Sequence, residues 1–522
     1  METVRLSSAA RQTLIVILVS AAARLVLAAV LGLGVDESYE VVMSRVPSLS
    51  YFDHPPLSFW IAGLTSRAVQ TEQRVLLRLP FIALFAVSTL LMYRLTARWY
   101  GERAGFVAAL LLNVSPVFSL STGGWVLPDG PLDCALLAAA SCASRAVGPP
   151  LAESGGPRVE GDERGHWAWW IGAGLCAGLA LLSKYHGVFV VLGVLLFLAT
   201  TREARWWLRM PQPYVAVAIV LVLTLPVVIW NVRHDFASFR FQLGRAAAHG
   251  LRAAALAQNL GGQVGYLLPW IALPLLWQLW RGLRVGPTDA PRWFLCCLAM
   301  GPIILFTLVS LGGNPGLPHW PAPGYLFLFP LLGDAVARYE DRGVTERRRV
   351  TRALVASVTV FVALAATAAS AVATGWPARV APSLFRRGDP TLEAIDWRDL
   401  EPTLGKRSLL AATAPIFTTH WIDAAKAGYA LGSAHDVYCL CSDPRGFQYA
   451  FPPRRALGRD GVVLVRARAD YSDSVVANAY RPYFKSLELM GHVAITRAGR
   501  STLEISVFRA AFLRRLPQRI DP

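Results

Sequence analysis

Eleven long apolar runs, separated by short polar segments, fill most of residues 12–374 and limit the folds open to this chain. A helix needs about 20 apolar residues to span the hydrocarbon core of a bilayer, with a range near 17–25. We therefore predict a polytopic α-helical membrane protein with about 11 transmembrane helices. The runs lie at 12–34, 76–97, 104–122, 130–147, 167–183, 186–201, 213–232, 264–280, 293–312, 320–337 and 353–374.

The composition agrees with a membrane protein. Hydrophobic residues make up 54% of the 522 positions and charged residues only 16%, whereas a soluble domain has about 45–50% and about 25%. The formal net charge of +17 has two explanations. In a soluble protein it would favour nucleic acid binding, and in a membrane protein it favours basic cytoplasmic loops. The placement of the charges decides between them.

The arginines favour the second explanation. If the N-terminus is cytoplasmic, each of the six inner segments carries at least two arginines, from Arg5 and Arg11 to the run at 347–349. Because basic residues stay on the cytoplasmic side, this pattern predicts a membrane protein with a cytoplasmic N-terminus. An odd number of spans then places the C-terminus outside, which is the periplasm if the membrane is a bacterial inner membrane. We expect the bilayer as a partner and no nucleic acid.

The composition changes near Gly375. Residues 376–522 contain no run long enough to span a membrane, and short β-like runs alternate there with helix-like ones such as 421–432. We predict a transmembrane domain at 1–375 and a small periplasmic α/β domain at 376–522. The polar segment 149–166 is typical of a cytoplasmic loop.

The predicted outer side concentrates the titratable groups, including five of the six histidines before residue 376. Its motifs are Asp36-Glu37-Ser38-Tyr39, Tyr51-Phe52-Asp53-His54-Pro55-Pro56, Pro128-Asp129-Gly130-Pro131-Leu132, Ser183-Lys184-Tyr185-His186-Gly187, His234-Asp235-Phe236-Ala237-Ser238-Phe239 and His319-Trp320-Pro321-Ala322-Pro323.

The acidic motifs each allow a structural and a functional interpretation. Asp36 and Glu37 are either solvated residues at a helix exit or a general base toward an acceptor hydroxyl. Asp53 and His54 precede two prolines, which is typical of a turn. A carboxylate beside an imidazole also suits a metal ion or a phosphate. His234 is either an interfacial polar residue or a second ligand toward Asp53.

Lys184 is the one lysine in the first 405 residues of a chain that otherwise uses arginine. In the structural interpretation, Lys184 is a basic side chain that reaches from a helix end toward the membrane surface, and an arginine would serve there equally well. A compact ammonium suits a phosphate oxygen as a point charge, so we favour the functional interpretation. Arg24 lies within the first apolar run, where an unpaired charge is costly, so it should face the interior of the bundle.

Motifs for nucleotide chemistry are absent from the sequence. It contains no Walker-type loop, no GxGxxG after a strand, no GxSxG and no HExxH. A nucleotide-driven pump and a Rossmann-type nucleotide-sugar enzyme both lose support, and we expect no nucleotide cofactor.

Taken in order, the six outer motifs resemble those of the GT-C superfamily. They look like the bacterial members of the dolichyl-phosphate-mannose protein mannosyltransferase group, which includes the aminoarabinose-type lipid A transferases. The resemblance covers about residues 10–375, and an outer α/β domain is also usual in that family. It implies a membrane glycosyltransferase that uses a polyprenyl-phosphate sugar donor and a lipid or glycolipid acceptor.

The resemblance also implies roles for individual residues. Asp36 matches the catalytic carboxylate, with Glu37 supporting it in catalysis, and Asp129 matches a second active-site acid. Lys184 matches a lysine near the lipid phosphate, where we also place His54 and Arg240. His54 replaces the lysine of the aminoarabinose transferases, which leaves the sugar and the acceptor open. Asp53 and His234 stand where a divalent metal ion would bind.

We therefore predict an inner-membrane enzyme that transfers a hexosyl or pentosyl group to an envelope acceptor, with inversion. The acceptor is lipid A, another glycolipid or a protein. The alternative is a polytopic transporter or flippase of a lipid-linked sugar. A transporter should show internal repeats or paired broken helices near the middle of the membrane, and neither is evident in the sequence.

Overall fold

The computed structural model describes residues 6–148, 163–247, 250–314, 316–385, 388–406, 410, 413–467 and 472–516. Most of the polar segment expected at 149–166 therefore lies outside the described residues, as does His249.

Helices make up most of the described chain before Gly375. In chain order they are α1 (Ser8–Val30), α2 (Val35–Ser44), α3 (Leu57–Val69), α4 (Arg74–Asn113), α5 (Asp129–Val147), α6 (Glu163–Ser183), α7 (Val188–Thr200), α8 (Pro211–Arg233), α9 (Ala237–Ala246), α10 (Ala253–Leu267), α11 (Pro269–Val285), α12 (Ala290–Leu311), α13 (Ala322–Leu326), α14 (Phe329–Glu340) and α15 (Val344–Thr374).

The remaining segment is mixed. Its helices are α16 (Trp376–Val380), α17 (Leu400–Lys406), α18 (Trp421–Ala430), α19 (Phe447–Ala450) and α20 (Asp473–Tyr480), and its strands are β1 (Ile416–Thr418), β2 (Val437–Cys439), β3 (Gly461–Arg466), β4 (Phe484–Arg497) and β5 (Arg500–Leu513).

Five described helices are long and apolar enough to cross a membrane, and a bent pair adds a sixth candidate. The helices α1 and α15 are suited to face lipid, because they are apolar and only 17% and 11% of their apolar windows are buried inside the protein. The chain is thus a multi-pass membrane protein, while the number of eleven spans stays a prediction. The five single helices are α1, α4, α8, α12 and α15.

The boundaries of several predicted runs differ from the helices. The run predicted at 264–280 contains a break. The chain bends by 110° between α10 and α11, and Leu268 at the bend has a φ of +73°. Pro269 follows Leu268, and the residue before a proline disfavours the helical conformation. The runs predicted at 76–97 and 104–122 correspond to two helices that meet at a kink inside α4, because Gly101 has non-helical φ and ψ of +84° and 163°. The second helix ends at Asn113, so the run predicted to reach residue 122 extends beyond it.

By their contacts, the residues form two compact units. The first unit contains Met1–Leu25, Leu49–Leu57 and Leu79–Leu364. Small residues allow its helices to approach closely: a Cβ on Gly174 of α6 would lie 2.6 Å from the carbonyl oxygen of Ala216 in α8. Such contacts are typical of helix packing in membranes, where small side chains let backbones meet.

The second unit contains Val26–Ser48, Ser58–Arg78 and Ala365–Pro522. Its sheet has the order β2-β1-β3-β5-β4, in which β1 pairs in parallel with β2 and β3, and β5 pairs antiparallel with β3 and β4. The small mixed sheet agrees with the predicted α/β character of the C-terminal segment. The boundary at residue 375 and the periplasmic location stay predictions.

Within the second unit, α2 packs on α18. The ring of Tyr39 meets that of Trp421 edge-on at 5.8 Å, and the Tyr39 hydroxyl accepts a hydrogen bond from the backbone N–H of Gly446 at 2.9 Å. The Asp396 carboxylate accepts from the backbone N–H of Leu33 at 2.9 Å. These contacts fix the start of α2, the helix that carries Asp36.

Lys426 of α18 also holds the chain before α2. Its ammonium donates to the carbonyl oxygens of Leu33 and Ile395, at 2.5 and 3.0 Å. Burial lowers the pKa of Lys426 from 10.5 to about 8. Between these two values the unfolded chain binds more protons than the folded chain, so stability should rise with pH across that window.

We therefore expect the thermal midpoint of the detergent-solubilised protein to rise between pH 8 and pH 10 by more than in a Lys426→Met variant. The methionine keeps the length of the side chain and removes its titration. The exposed Lys406 provides the control, since Lys406→Met should preserve the pH-dependent rise. Equal pH profiles for the wild type and Lys426→Met would contradict this role.

Candidate functional site

A buried ion pair joins Lys184 to Asp129 in the first unit. The Lys184 ammonium donates to the Asp129 carboxylate at 2.8 Å, and their side chains are only 9% and 14% exposed. Asp129 begins α5, where the helix dipole favours a negative charge. Lys184 is an extended residue between α6 and the 3₁₀ turn at Tyr185–Gly187, with φ and ψ of −154° and 147°.

The neighbouring residue, Ser183, reinforces this arrangement. Its hydroxyl donates to the carbonyl oxygen of Pro128 at 2.6 Å. Two adjacent residues at the end of α6 therefore bind two adjacent residues at the start of α5. The motifs at 128–132 and 183–187, which lie far apart in sequence, form one structural element.

The segment around Asp53 lies against α9. The Gln242 side chain donates to the backbone carbonyl oxygen of Asp53 at 2.5 Å, and the rings of Phe52 and Phe241 lie 4.7 Å apart. A hydrogen bond of 2.7 Å between the hydroxyls of Tyr185 and Ser238 links the same helix to the turn after Lys184. Asp53 and Lys184 are therefore both connected to α9.

Asn231 shapes the turn from α8 into α9. Its side-chain amide donates to the Val227 carbonyl oxygen at 3.0 Å, and its oxygen accepts from the Phe239 N–H at 3.3 Å. Asp235 and Phe236 have φ values of +52° and +56°, a left-handed conformation that side chains rarely adopt. The polar residue therefore holds a strained turn in the predicted motif 234–239.

The turn also places two predicted site residues. The His234 ring stacks on Trp230 at 4.2 Å, and its Nδ1 pairs with the Trp230 carbonyl oxygen at 2.7 Å. Arg240 is exposed and donates to the Asp235 carbonyl oxygen. Its role at a phosphate stays a prediction.

The metal site predicted at Asp53 and His234 has no third protein ligand among the described residues. Within the described ranges, no group of three His, Cys, Asp or Glu side chains is arranged to hold a metal ion. Hard divalent cations prefer several carboxylate or carbonyl oxygens, and two side chains do not supply such a set. The metal site stays a prediction, and no step proposed below depends on it.

His319 lies in the last of the six outer motifs, and the sequence alone does not identify it as a site residue. Burial, followed by the positive charge of Lys184, lowers the pKa of His319 to about 4, and the charge of Asp129 opposes this. The imidazole is therefore neutral at pH 7. The clustering of outer histidines was the sequence signal for it.

Asp36 and Glu37 lie in the second unit and have different environments. Asp36 is exposed in the first turn of α2. Glu37 is buried, and its carboxylate accepts from Arg78 at 2.8 and 2.6 Å and from the Gly34 N–H at 2.9 Å. Arg78 is fully buried and also donates to the Leu31 carbonyl oxygen at 2.9 Å.

Arg78 was missed by the sequence interpretation. An arginine inside the run predicted at 76–97 was a signal of an inward-facing charge, but its partner could not be identified from one sequence. The geometry makes Glu37 an anchor for the start of α2. Asp36 is left as the accessible carboxylate of the pair.

Residues 53–230 match the family model of dolichyl-phosphate-mannose-protein mannosyltransferase. The chain is 30% identical over 155 residues to the lipid A galacturonosyltransferase RgtD of Rhizobium johnstonii, a stretch that covers 29% of this chain and 32% of that protein. The alignment therefore spans about a third of the relative's length.

The fold is similar to that of ArnT from Cupriavidus metallidurans. Its apo crystal structure matches with a TM-score of 0.65 and 16% identity, over 96% of this chain and 98% of that chain. The structure of ArnT bound to undecaprenyl phosphate matches with a TM-score of 0.62 and 16% identity, over 95% and 97%. The fold is thus that of GT-C membrane proteins. The resemblance to the GT-C superfamily, which we inferred from the six outer motifs, is confirmed.

The adjacent carboxylates provide a direct test of this geometry. We expect Glu37→Gln to lower the free energy of unfolding by about 3–5 kcal/mol, because it leaves the buried Arg78 without its counter-charge. Asp36→Asn should change stability little, because Asp36 is exposed. Thermal unfolding of both variants in detergent measures the difference. Equal midpoints would contradict the assignment of Glu37 as the anchor.

Proposed function

We propose that this chain is an inner-membrane glycosyltransferase that moves a sugar from a polyprenyl-phosphate donor to an envelope glycolipid on the periplasmic face. The observation that carries the proposal is the buried Lys184–Asp129 pair at the junction of α6 and α5. It places the one lysine of the helical region at a fixed site, within a fold similar to that of an enzyme crystallised with undecaprenyl phosphate.

Lys184 binds the donor phosphate in this proposal. A compact ammonium neutralises a phosphate oxygen as a point charge, and the low dielectric of a membrane protein strengthens the attraction. Asp129 holds the ammonium in place before the donor arrives and keeps its charge balanced. His54 and Arg240 are the further phosphate contacts that we assign on the resemblance.

Asp36 is the catalytic carboxylate in the same proposal. It accepts the proton of an acceptor hydroxyl, whose oxygen attacks the anomeric carbon from the face opposite the phosphate. The bond between the anomeric carbon and the phosphate oxygen breaks, and the product has inverted configuration. If the acceptor group is itself a phosphate, Asp36 orients it instead, since a phosphate is already ionised at pH 7.

The leaving group is polyprenyl phosphate, which departs as an anion. Lys184 stabilises the negative charge that develops on its oxygen, and such a preorganised contact is worth about 3–4 kcal/mol in the transition state. No nucleotide is required for this step. That agrees with the absence of nucleotide-binding motifs from the sequence.

We propose the orientation of the chain in the membrane from the distribution of its arginines. The N-terminus is cytoplasmic, about 11 helices cross the inner membrane, and the C-terminal α/β domain is periplasmic. RgtD, named as a lipid A transferase, makes lipid A the acceptor we favour. The sugar is a hexosyl or pentosyl group.

One observation favours the alternative of a transporter or flippase. The 110° bend between α10 and α11 is a broken helix, a feature of transporters. It is one bent pair among the described helices, whereas transporters carry such breaks in corresponding positions of two repeats. We therefore prefer the transferase.

Transfer of radiolabelled sugar from a purified polyprenyl-phosphate donor in detergent separates these functions. We expect turnover without sealed vesicles, and Asp36→Asn should reduce it by at least about a hundredfold, the lower end of the effect of general base catalysis. Glu401→Gln, at an exposed carboxylate of α17, is the control and should keep full activity. Activity that appears only as movement across sealed vesicles would favour the transporter.

The phosphate role of Lys184 predicts a change in donor binding. We expect Lys184→Ala to raise the Kd for polyprenyl phosphate by about 10–100-fold, since a hydrogen bond to a charged group is worth about 1.5–3 kcal/mol. Lys184→Arg should restore little, because its planar guanidinium does not match the site. Lys406→Ala is the matched control. An unchanged donor Kd in Lys184→Ala would contradict the role.

A further inference from the structure

Two cysteines lie at the end of β2 in the second unit, and the proposed reaction does not use them. Cys439 is the last residue of β2, and Cys441 follows after one residue. Both are free thiols, and their Sγ atoms face each other at 2.6 Å. Side chains two residues apart along an extended chain point to the same side, so the spacing itself allows the two sulfurs to meet.

The two thiols have different environments. Cys439 is buried, whereas Cys441 is partly exposed. The Cys441 sulfur accepts hydrogen bonds from the backbone N–H groups of Asp443 and Trp421. Trp421 begins α18, and the first N–H groups of a helix have no partner within it. Cys441 therefore lies against the N-terminus of α18, where the helix dipole favours a negative charge.

These contacts separate the acidities of the two thiols. The hydrogen bond from Cys439 lowers the pKa of Cys441, and the two backbone N–H groups lower it further, while burial opposes them. Burial, followed by the hydrogen bond to Cys441, raises the pKa of Cys439. Because the thiolate is the nucleophile in thiol–disulfide exchange, Cys441 is suited to attack and Cys439 to complete the exchange.

A packing role explains other cysteines of the chain better than it explains this pair. A free cysteine commonly serves as a small apolar side chain. Cys296 and Cys297 fit that role, because they are buried in α12 within the apolar core of the first unit. Cys441 differs from them, since it is partly exposed, lies at a helix N-terminus and has a second thiol within reach.

We propose that Cys439 and Cys441 form a redox-active dithiol, which closes reversibly to a disulfide by exchange with an external disulfide. The Cys441 thiolate attacks one sulfur of the external disulfide and releases the first thiolate. Cys439 loses its proton to solvent and attacks the Cys441 sulfur of this mixed disulfide, which releases the second thiolate. The pair gives up two electrons and two protons, and the external disulfide becomes two thiols.

Two arguments favour a reversible reaction. Cysteines separated by a single residue close a small ring, and strained or exposed disulfides are the labile ones. The periplasmic location that we propose for this segment is an oxidising compartment, which supplies the external disulfide. The redox chemistry itself does not rest on the transferase function, because it involves neither the donor nor the acceptor.

Titration of the reduced full chain in detergent with oxidised glutathione tests this proposal. The tryptic peptide 427–445 contains Cys439, Cys441 and no other cysteine. We expect this peptide to lose the mass of two hydrogen atoms, and an excess of reduced glutathione added to the folded protein should restore both thiols. Cys296 and Cys297 are the internal control and should stay thiols, because they are buried.

A second arm of the experiment identifies the source of the external disulfide. It replaces oxidised glutathione with an oxidised Cys-X-X-Cys protein such as DsbA. Oxidation of the pair in this arm alone supports the proposal with a protein as the oxidant, and oxidation in both arms supports it with small disulfides as well. A peptide that stays a dithiol in both arms would overturn the proposal.

Single substitutions test the separate roles of the two cysteines. Cys439→Ala should stop the exchange after its first step, so that a mixed disulfide with glutathione accumulates at Cys441. Cys441→Ser should give at least about tenfold less mixed disulfide, because Cys439 is buried and less acidic. Equal amounts in the two variants would contradict the assigned roles.

A structural disulfide would behave differently in the wild type. It would form once and resist an excess of reduced glutathione until the protein is unfolded, and that result would overturn the proposal. Because this comparison requires no substitution, it remains decisive if either variant does not fold. It also requires no sugar transfer, so failure of the transferase function would leave its outcome unchanged.

Discussion

The ion pair of Lys184 and Asp129 is the contact on which the rest of the proposed site depends. It joins the end of α6 to the start of α5 at 2.8 Å, with both side chains nearly buried. A buried pair of this kind adds little stability, because desolvation offsets most of the attraction. Its value lies in holding a single cation at a defined place, ready for an anion that arrives from the membrane.

Other buried charges have the same character. Arg78 and Glu37 fix the start of α2, and Arg24 lies against the segment that leads to Asp129. Breaking any of these contacts leaves a charge in an apolar interior, which is expensive. The apolar composition of the helices specifies little more than burial or contact with lipid. A few inward-facing charges therefore fix the positions of particular backbone segments.

The apolar runs predicted the class of fold because a bilayer requires a minimum length of apolar helix. They did not predict the break at Leu268, since hydropathy is the same on both sides of a bend. The run predicted at 320–337 likewise forms two helices, α13 and α14, separated at Phe327 and Leu328. Hydropathy responds to the apolar surface and is insensitive to the hydrogen bonds that end a helix.

The candidate site was predictable as a set of motifs and only partly as a geometry. The motifs around Asp129 and Lys184 were expected on one side of the membrane, and the structure joins them. The partners of single charges, such as Arg78 for Glu37 and Ser119 for Arg24, could not be inferred. They come from distant parts of the sequence, and spacing along the chain says nothing about which residues meet.

The central claim is that a polyprenyl-phosphate sugar is the donor and that its phosphate leaves as the monoester. A single-turnover reaction with a donor labelled in both the sugar and the phosphate tests it most directly. We expect one polyprenyl monophosphate to be released for each sugar transferred, with the anomeric configuration inverted. Release of a pyrophosphate, or a product with retained configuration, would contradict it.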